Sequence, residues 1–341
     1  MTPATRILIT LGDVAGIGPE VLVKAWTQVT ELCHPVVVGD AGWLRRALAD
    51  RGKSATVQSI YRVADAAPSP DVIPCLAIET ANLANVPVGT ITAEGGQAAH
   101  DFLVAAIDRT MRHEADGIVT LPLQKEGLHL AGFHYPGHTE ILAERTGTKN
   151  FGMMLYARGP KTPHGLGVLH VTLHMALRDV FRHISTIAIL DKITLLHDMM
   201  GRLCDAPPHL AVAALNPHAS DGGLFGDDER TIIEPAVHQA KSKGIDVAGP
   251  IPSDTLFVRA ARGEFQGVVA MYHDQGHIPL KLLTGLAAVS ISVGLPIVRT
   301  SVAHGTAYDI AGRGLADAQS LIEAVRVAAR LIATSKKTSG E

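Results

Sequence analysis

The strongest constraint on this chain is an alternation of short apolar runs with helical patterns that recurs along its length. Residues 7–11 (ILITL) form an apolar run, the glycine-rich turn GDVAGIGPE (12–20) follows, and residues 21–29 carry helical spacing behind Pro19. Proline suits a first helical turn, because its fixed φ is already helical and its missing N–H has no partner there. Further strands are expected at 35–39, 117–121, 167–174, 210–215, 267–271 and 287–293. Helices are expected at 41–48, 96–112, 227–243 and 317–335, with a proline- and alanine-rich connection at 66–74. Continuous apolar runs belong to strands covered on both faces, so the pattern predicts a mostly parallel sheet in an α/β fold. With 341 residues, 47% of them hydrophobic and 18% charged, the chain can fill two cores.

Charge and composition exclude several classes. A net charge of -3 with no long basic run argues against nucleic-acid or membrane-surface partners, which need a cationic footprint. No apolar stretch reaches membrane-spanning length, and the amino terminus lacks the h-region of a signal peptide. Cys33, Cys75 and Cys204 form no C-x-x-C pair and read as packing residues of a reducing compartment, so a cytoplasmic location is expected.

The chemistry concentrates in the 17 histidines. Three separate strands each deliver one at or just past the carboxyl end: His174 closes GVLHVTLH, His218 follows 210–215 in NPHASDGG, and His273 follows 267–271 in MYHDQGHIPLK. The last stretch (271–281) also holds Asp274, Gln275, His277 and Lys281, and is expected as a loop where α/β sheets bind ligands. A lone histidine there is usually an ordinary hydrogen-bonded residue. Three neutral imidazoles with an open position make a catalytic type of metal site, for which Zn²⁺ suits best and Mg²⁺, Mn²⁺, Co²⁺ or Ni²⁺ also serve.

Other segments have two readings. GDVAGIGPE is not the G-x-G-x-x-G fingerprint; it either holds an anion at a helix end or only packs. Thr139, after His138, is a helix cap or an anion donor. Lys281 and Arg299 are solvated cations or ligands for phosphate or carboxylate. SVAHGTAYDIAGRG (301–314) is a turn-rich loop where backbone can approach a ligand closely.

Taken together, GDVAGIGPE, NPHASDGG, MYHDQG, Lys281 and LPIVRTSVAHGTA resemble the 4-hydroxythreonine-4-phosphate dehydrogenase family of vitamin B6 synthesis, over about residues 7–332. TLPLQKEGLHLAG and FHYPGHTEIL look more like its catabolic branch, the 4-phospho-D-threonate and 4-phospho-D-erythronate dehydrogenases. HGTAYDIAGRG is similar to the dinucleotide-side loop of isopropylmalate and isocitrate dehydrogenases. The resemblance implies the two-domain α/β fold of those enzymes, with mostly parallel sheets and an inter-domain active-site cleft. It also implies a homodimer with a shared active site, and NAD as hydride acceptor. The implied domains are a cofactor-side domain, 1–124 with 285–341, and a metal, substrate and dimerisation domain, 125–284.

By the same resemblance His174, His218 and His273 are metal ligands. His138, Thr139, Lys281, Ser290 and Arg299 meet the substrate, and His304 and Gly305 lie near the cofactor. Val14, Ser290 and Ala303 depart from the family's usual Pro, Asn and Asp. A metal would ease loss of the substrate's hydroxyl proton while hydride passes to NAD, and the resulting ketone β to a carboxylate would lose carbon dioxide. Lys125, or a water near Asp254, is a candidate general base. The substrate expected is 4-phospho-D-threonate or 4-phospho-D-erythronate, with 4-phosphohydroxy-L-threonine as the alternative. A metal-dependent hydrolase using the same histidines is the competitor from another class, and a non-catalytic sugar-phosphate binder is a third reading.

Overall fold

The computed structural model describes residues 5–339, which divide into two compact units. The first comprises the chain through Lys149 and again from Leu295; the second is Asn150–Gly294.

In the first unit β1 (Arg6–Thr10), α1 (Gly18–Leu32), β2 (His34–Gly39), α2 (Ala41–Asp50), β3 (Thr56–Ile60), β4 (Val72–Ala77), α3 (Ala93–Met111), β5 (Gly117–Thr120), α4 (Lys125–Leu130) and α5 (His138–Thr146) follow one another. The second unit contains β6 (Gly152–Gly159), β7 (Thr162–His170), α6 (Leu177–Val180), α7 (Thr186–Leu203), β8 (Leu210–Ala213), α8 (Glu234–Ser242), β9 (Val247–Ile251), α9 (Ser253–Ala261), β10 (Gly267–Ala270), α10 (His273–Thr284) and β11 (Val289–Val293). The chain then returns to the first unit with β12 (Val298–Val302) and α11 (Gln319–Ser339).

The first unit's strands lie in the order β3-β4-β2-β1-β5-β12, all parallel. The central strand explains the order. Ile7, Leu8 and Ile9 of β1 are wholly buried, with Leu8 opposite Val36 on one side and Ile118 on the other. A strand apolar on both faces needs helices on both, which a parallel βαβ arrangement supplies. Truncating such a residue, as in Leu8→Ala, costs about 2–5 kcal/mol. Helix starts are set locally: Asp40 caps Trp43, and Thr92 caps Gly95. The segment 125–149, expected with the other domain, packs here with the first unit, because α4 and α5 lie on α3.

The second unit's order is β11-β6-β7-β10-β8-β9. β6 is antiparallel to both β7 and β11, and the remaining pairs are parallel. Three expectations need correcting. The strand expected at 167–174 ends at His170, so His174 lies in the turn beyond it. MYHDQGHIPLK is a helix from His273 onward; Pro279 inside it had made the stretch read as a loop. The helix expected at 227–243 begins with a π-turn, Glu229–Ile233, before α8. Strands β3, β4, β6, β9 and β12 went unread, since their apolar patterns are short or broken by glycine, proline or polar residues. Among the described residues no helix is long and apolar enough to cross a membrane.

Candidate active site

Four histidines gather in the second unit. Residues four apart on a helix share a face, and His277 accordingly stacks on His273 with ring centroids 3.7 Å apart. β10 pairs with β7 so that Ala270 stands opposite His170. That pairing brings the buried His170 ring against the same face, with His170 Nε2 3.1 Å from His277 Nδ1. His174, just past β7, has its ring 5.7 Å from that of His273. Burial, reinforced by neighbouring imidazoles, pushes His170 down to about 3 and His277 to about 4, which keeps both neutral near pH 7.

His273 Nδ1 lies 2.7 Å from Asp274 Oδ1, which fixes the ring through one nitrogen and leaves Nε2 for another partner. Metal-bound imidazoles are held in this way by carboxylates. The donor chemistry therefore fits a borderline divalent cation at two corners, His174 and His273. Among the described residues no three His, Cys, Asp or Glu side chains form a group able to hold a metal ion, so His218 does not join that pair within one chain.

His218 sits instead in the loop after β8, at the head of six consecutive residues with positive φ: His218 (52°), Ala219 (53°), Ser220 (66°), Asp221 (43°), Gly222 (70°) and Gly223 (104°). Only the last two are glycines, and left-handed backbone costs other residues about 1–2 kcal/mol each. Glu229 holds the loop. Its Oε1 accepts the N–H groups of Leu215 (2.9 Å) and Asn216 (2.7 Å), and its Oε2 accepts the Asn216 side-chain amide (3.0 Å) and the Ser220 hydroxyl. Burial opposes its charge, but these donors together keep the carboxyl below the usual range.

The other expected residues of this unit are spread out. Lys281 is exposed on α10, and Asp254 is exposed in the first turn of α9. Ser290 is buried on β11, opposite Leu155 of β6. Gln275 is structural: its amide donates to Ala214 O and Ser253 Oγ and accepts from Met271 N–H, which ties the start of α10 to the ends of two strands.

The first unit holds a second constellation. Arg299 on β12 is 2% exposed and donates to Thr120 Oγ1 on neighbouring β5 at 2.5 Å. Burial pulls its guanidinium down, with Glu140 acting the other way. His138, which opens α5, lies close enough for Arg299 to disfavour its protonation. Burial is the larger cause, and a bond to the Leu121 backbone opposes both. Thr139 follows on the same first turn, while Lys125 is exposed at the start of α4. The structure thus joins His138, Glu140, Thr120 and Arg299, and leaves Lys125 at the surface.

His304 and Gly305 lie in the loop after β12. His304 Nδ1 meets the Gly305 carbonyl at 2.9 Å, and its Nε2 is buried without a hydrogen-bond partner in the protein. The loop is pinned along its length. Thr306 O accepts Ile17 N–H, and a Cβ on Gly16 would stand 2.8 Å from that oxygen. Tyr308 Oη donates to the buried Asp13 at 2.6 Å. Glu20 accepts from Gly314 and Ala316 N–H, Lys24 donates to the carbonyls of the same two residues, and Arg51 donates to Gly312 O. A shallow cleft beside the loop is lined by Val14, Gly16, Glu20, Trp43, Arg46 and Gly312.

Sequence reasoning missed Asp13, Tyr308, Thr120, His170 and Glu229. Asp13 and Tyr308, each inside a glycine-rich stretch already singled out, carried a local signal; the other three did not.

Comparison with known proteins follows the same lines. Residues 31–328 match the model of the family described as pyridoxal phosphate biosynthetic protein PdxA. The chain is 44% identical over 326 residues to the 4-hydroxythreonine-4-phosphate dehydrogenase of Beijerinckia indica subsp. indica, covering 95% of this chain and 94% of that one. It is 45% identical over 327 residues to the D-threonate 4-phosphate dehydrogenase of Cupriavidus necator, covering 95% and 96%. The crystal structure of the 4-hydroxythreonine-4-phosphate dehydrogenase from Klebsiella pneumoniae superposes with a TM-score of 0.85 at 39% identity, over 96% of this chain and 100% of that one. With that much of its length matched in sequence and in fold, the chain belongs to the PdxA family, whose members named here are dehydrogenases.

Proposed function

We propose that this protein is a metal-dependent, NAD-linked dehydrogenase that oxidises the 3-hydroxyl of 4-phospho-D-threonate or 4-phospho-D-erythronate. Loss of carbon dioxide from the resulting 3-keto acid then gives dihydroxyacetone phosphate. The observation that carries the reading is the His174 and His273 pair, one ring held by Asp274, in a chain similar almost end to end to dehydrogenases of phosphorylated substrates. A divalent cation, Zn²⁺ or another of its class, would be held by His174, His218 and His273 and would stabilise negative charge on the substrate oxygen as the alcohol proton leaves. NAD would accept the hydride.

The chain's own groups do the rest. Arg299 offers a planar fork to phosphate or carboxylate, and an anion brought against it offsets the burial that disfavours its charge. His138 and Thr139 present donors at the first turn of α5 beside it. Lys281 supplies a second cation, and Ser290 a small hydroxyl where the family usually has an amide. His304 and Gly305 face the cofactor; the unpartnered His304 Nε2 supports that role. Lys125 and Asp254, both exposed, are the candidates for moving the hydroxyl proton through water.

The active unit in this reading is a homodimer with a shared site. Exposed apolar residues of the second unit follow its candidate histidines closely in sequence: Leu177 and Phe181 at α6 after His174, Leu224 and Phe225 in the loop after β8 with His218, Ile278 and Leu282 on α10 with His273. Surface of this kind is what a partner copy covers. A dimer also explains why one chain assembles only two corners of the metal site: the third imidazole comes from a second copy. The protein is a cytoplasmic enzyme with no nucleic-acid or membrane partner.

The test is to assay purified protein, with and without chelator, for reduced-nicotinamide absorbance on 4-phospho-D-threonate, 4-phospho-D-erythronate and 4-phosphohydroxy-L-threonine. Chelator-sensitive NAD reduction on either of the first two is expected. Turnover of the third alone, the activity that the Beijerinckia and Klebsiella names state, moves the protein to the biosynthetic branch. Phosphate release without NAD reduction makes it a hydrolase. Arg299→Ala should raise the substrate KM about 10–100-fold, as loss of a hydrogen bond to a charged group does, and should leave NAD affinity near normal.

A further inference from the structure

Glu229 has no role in the reading above, yet it is built into the site's neighbourhood with care. It is 2% exposed, and it begins a π-turn that inserts one residue ahead of α8. Such insertions are uncommon and recur at functional sites. A carboxylate at the start of a helix is ordinarily solvated and serves the helix dipole. This one is buried and receives four donors, all from 215–220: the Leu215 and Asn216 amides on one oxygen, the Asn216 side chain and the Ser220 hydroxyl on the other. Asp228 Oδ2 takes the same Asn216 side chain at 2.8 Å.

These donors lie on both sides of His218. The run of four non-glycine residues with positive φ begins at His218 and includes Ser220, whose side chain the carboxylate holds. Such backbone persists only where its surroundings over-determine it. Leu215 and Asn216 fix the entry to the loop, Ser220 fixes its middle, and His218 stands between the fixed points.

We propose that Glu229 is a positioning residue: it locks the loop after β8 in its left-handed form, so that His218 is held ready as a metal ligand. This rests on the reading of His218 as the third ligand. Glu229 itself touches neither metal nor substrate; it acts through the Ser220 and Asn216 contacts.

The experiment compares wild type, Glu229→Gln and His218→Ala as purified full-length proteins, reading Zn²⁺ affinity by competition with a chromophoric chelator and the visible spectrum of the Co²⁺-loaded protein. Melting temperature and circular dichroism are the fold controls. Glutamine can keep the two backbone amides on its oxygen, but it turns donors toward the Asn216 side chain. Glu229→Gln is expected to weaken Zn²⁺ binding about 10–100-fold, the range for groups that orient metal ligands, and to alter the Co²⁺ bands with the fold intact. Wild-type affinity and bands in Glu229→Gln, with both lost in His218→Ala, overturn the positioning role alone. Unchanged affinity in His218→Ala overturns the ligand reading and this inference with it. Should Glu229→Gln not fold, Ser220→Ala removes one donor from the loop and is read the same way: weaker binding supports the role and unchanged binding overturns it.

Discussion

The loops after β8 and β12 both follow a strand, both are rich in glycine, and both carry a histidine for which a functional role is proposed, but they are held in different ways. The loop after β12 is tied down at many points: Thr306 to Ile17, Tyr308 to Asp13, Gly312 to Arg51, Gly314 and Ala316 to Glu20 and Lys24. Its positive-φ residues are Ala307, Gly312 and Gly314. The loop after β8 takes four non-glycine residues into the same region in succession and depends chiefly on one carboxylate, Glu229, with Asp228 sharing only the Asn216 side chain. The difference matters because distributed anchorage fails gradually, whereas a single clamp fails at once. It also fits the roles proposed for each loop: backbone and one ring in the first case, and in the second a metal ligand, which has to be placed to a fraction of an ångström.

The comparison can be broken at several points. His218→Ala should abolish metal binding and turnover while the melting temperature stays near that of wild type; an active, metal-free variant would sink the assignment of this loop. His304→Ala should act on the other loop alone, raising the KM for NAD about tenfold, the worth of roughly 1.4 kcal/mol, with metal content unchanged. Loss of bound metal in that variant would show that the two loops are not separable.

Tyr308→Phe removes one anchor among several and should cost about 1–3 kcal/mol of stability, the range for a hydrogen bond to a charged group. Its pH dependence has a definite sign. Burial pushes the Asp13 carboxyl up, and the Tyr308 hydroxyl and Ala15 amide pull it partly back. The Tyr308 bond therefore favours ionised Asp13. Its contribution is full above the folded-state pKa of Asp13, which burial raises above the ordinary 3.8, and is lost as pH falls through that value. Thermal melts from pH 8 down to pH 4 should show the variant's deficit shrinking; a constant deficit would mean that the carboxylate's charge is not involved. The smallest effect belongs to Arg51→Ala. It removes one exposed bond to Gly312 O, worth about 0.5–1.5 kcal/mol, and should leave NAD binding near normal. A large loss there would overturn the picture of distributed anchorage.

Much of the fold, and some of the contacts among the candidate site residues, could be read before any coordinates. The buried runs around Leu8, Val37 and Val269 announce strands covered on both faces, and each is central in its sheet. His273 and Asp274 are neighbours in sequence, so their contact follows from local geometry. His277 was harder to place, because Pro279 made a helix look like a loop and hid the fact that His277 lies one turn above His273. Glu229 resembled any acid at a helix start. Its four bonds follow from a π-turn and from a loop conformation that residue type does not encode.

What the sequence determined by itself is what depends on neighbours within a few residues: strand and helix periodicity, the helix start after Asp40, the placing of histidines near strand ends. Tertiary structure alone decided which of those ends meet. His170 reaches His277 because β7 pairs with β10, and Tyr308 finds Asp13 across 295 residues because the loop after β12 folds back over the first turn. Strand order is chosen by which arrangement buries the most apolar surface in the whole unit, and no stretch of sequence holds that sum on its own.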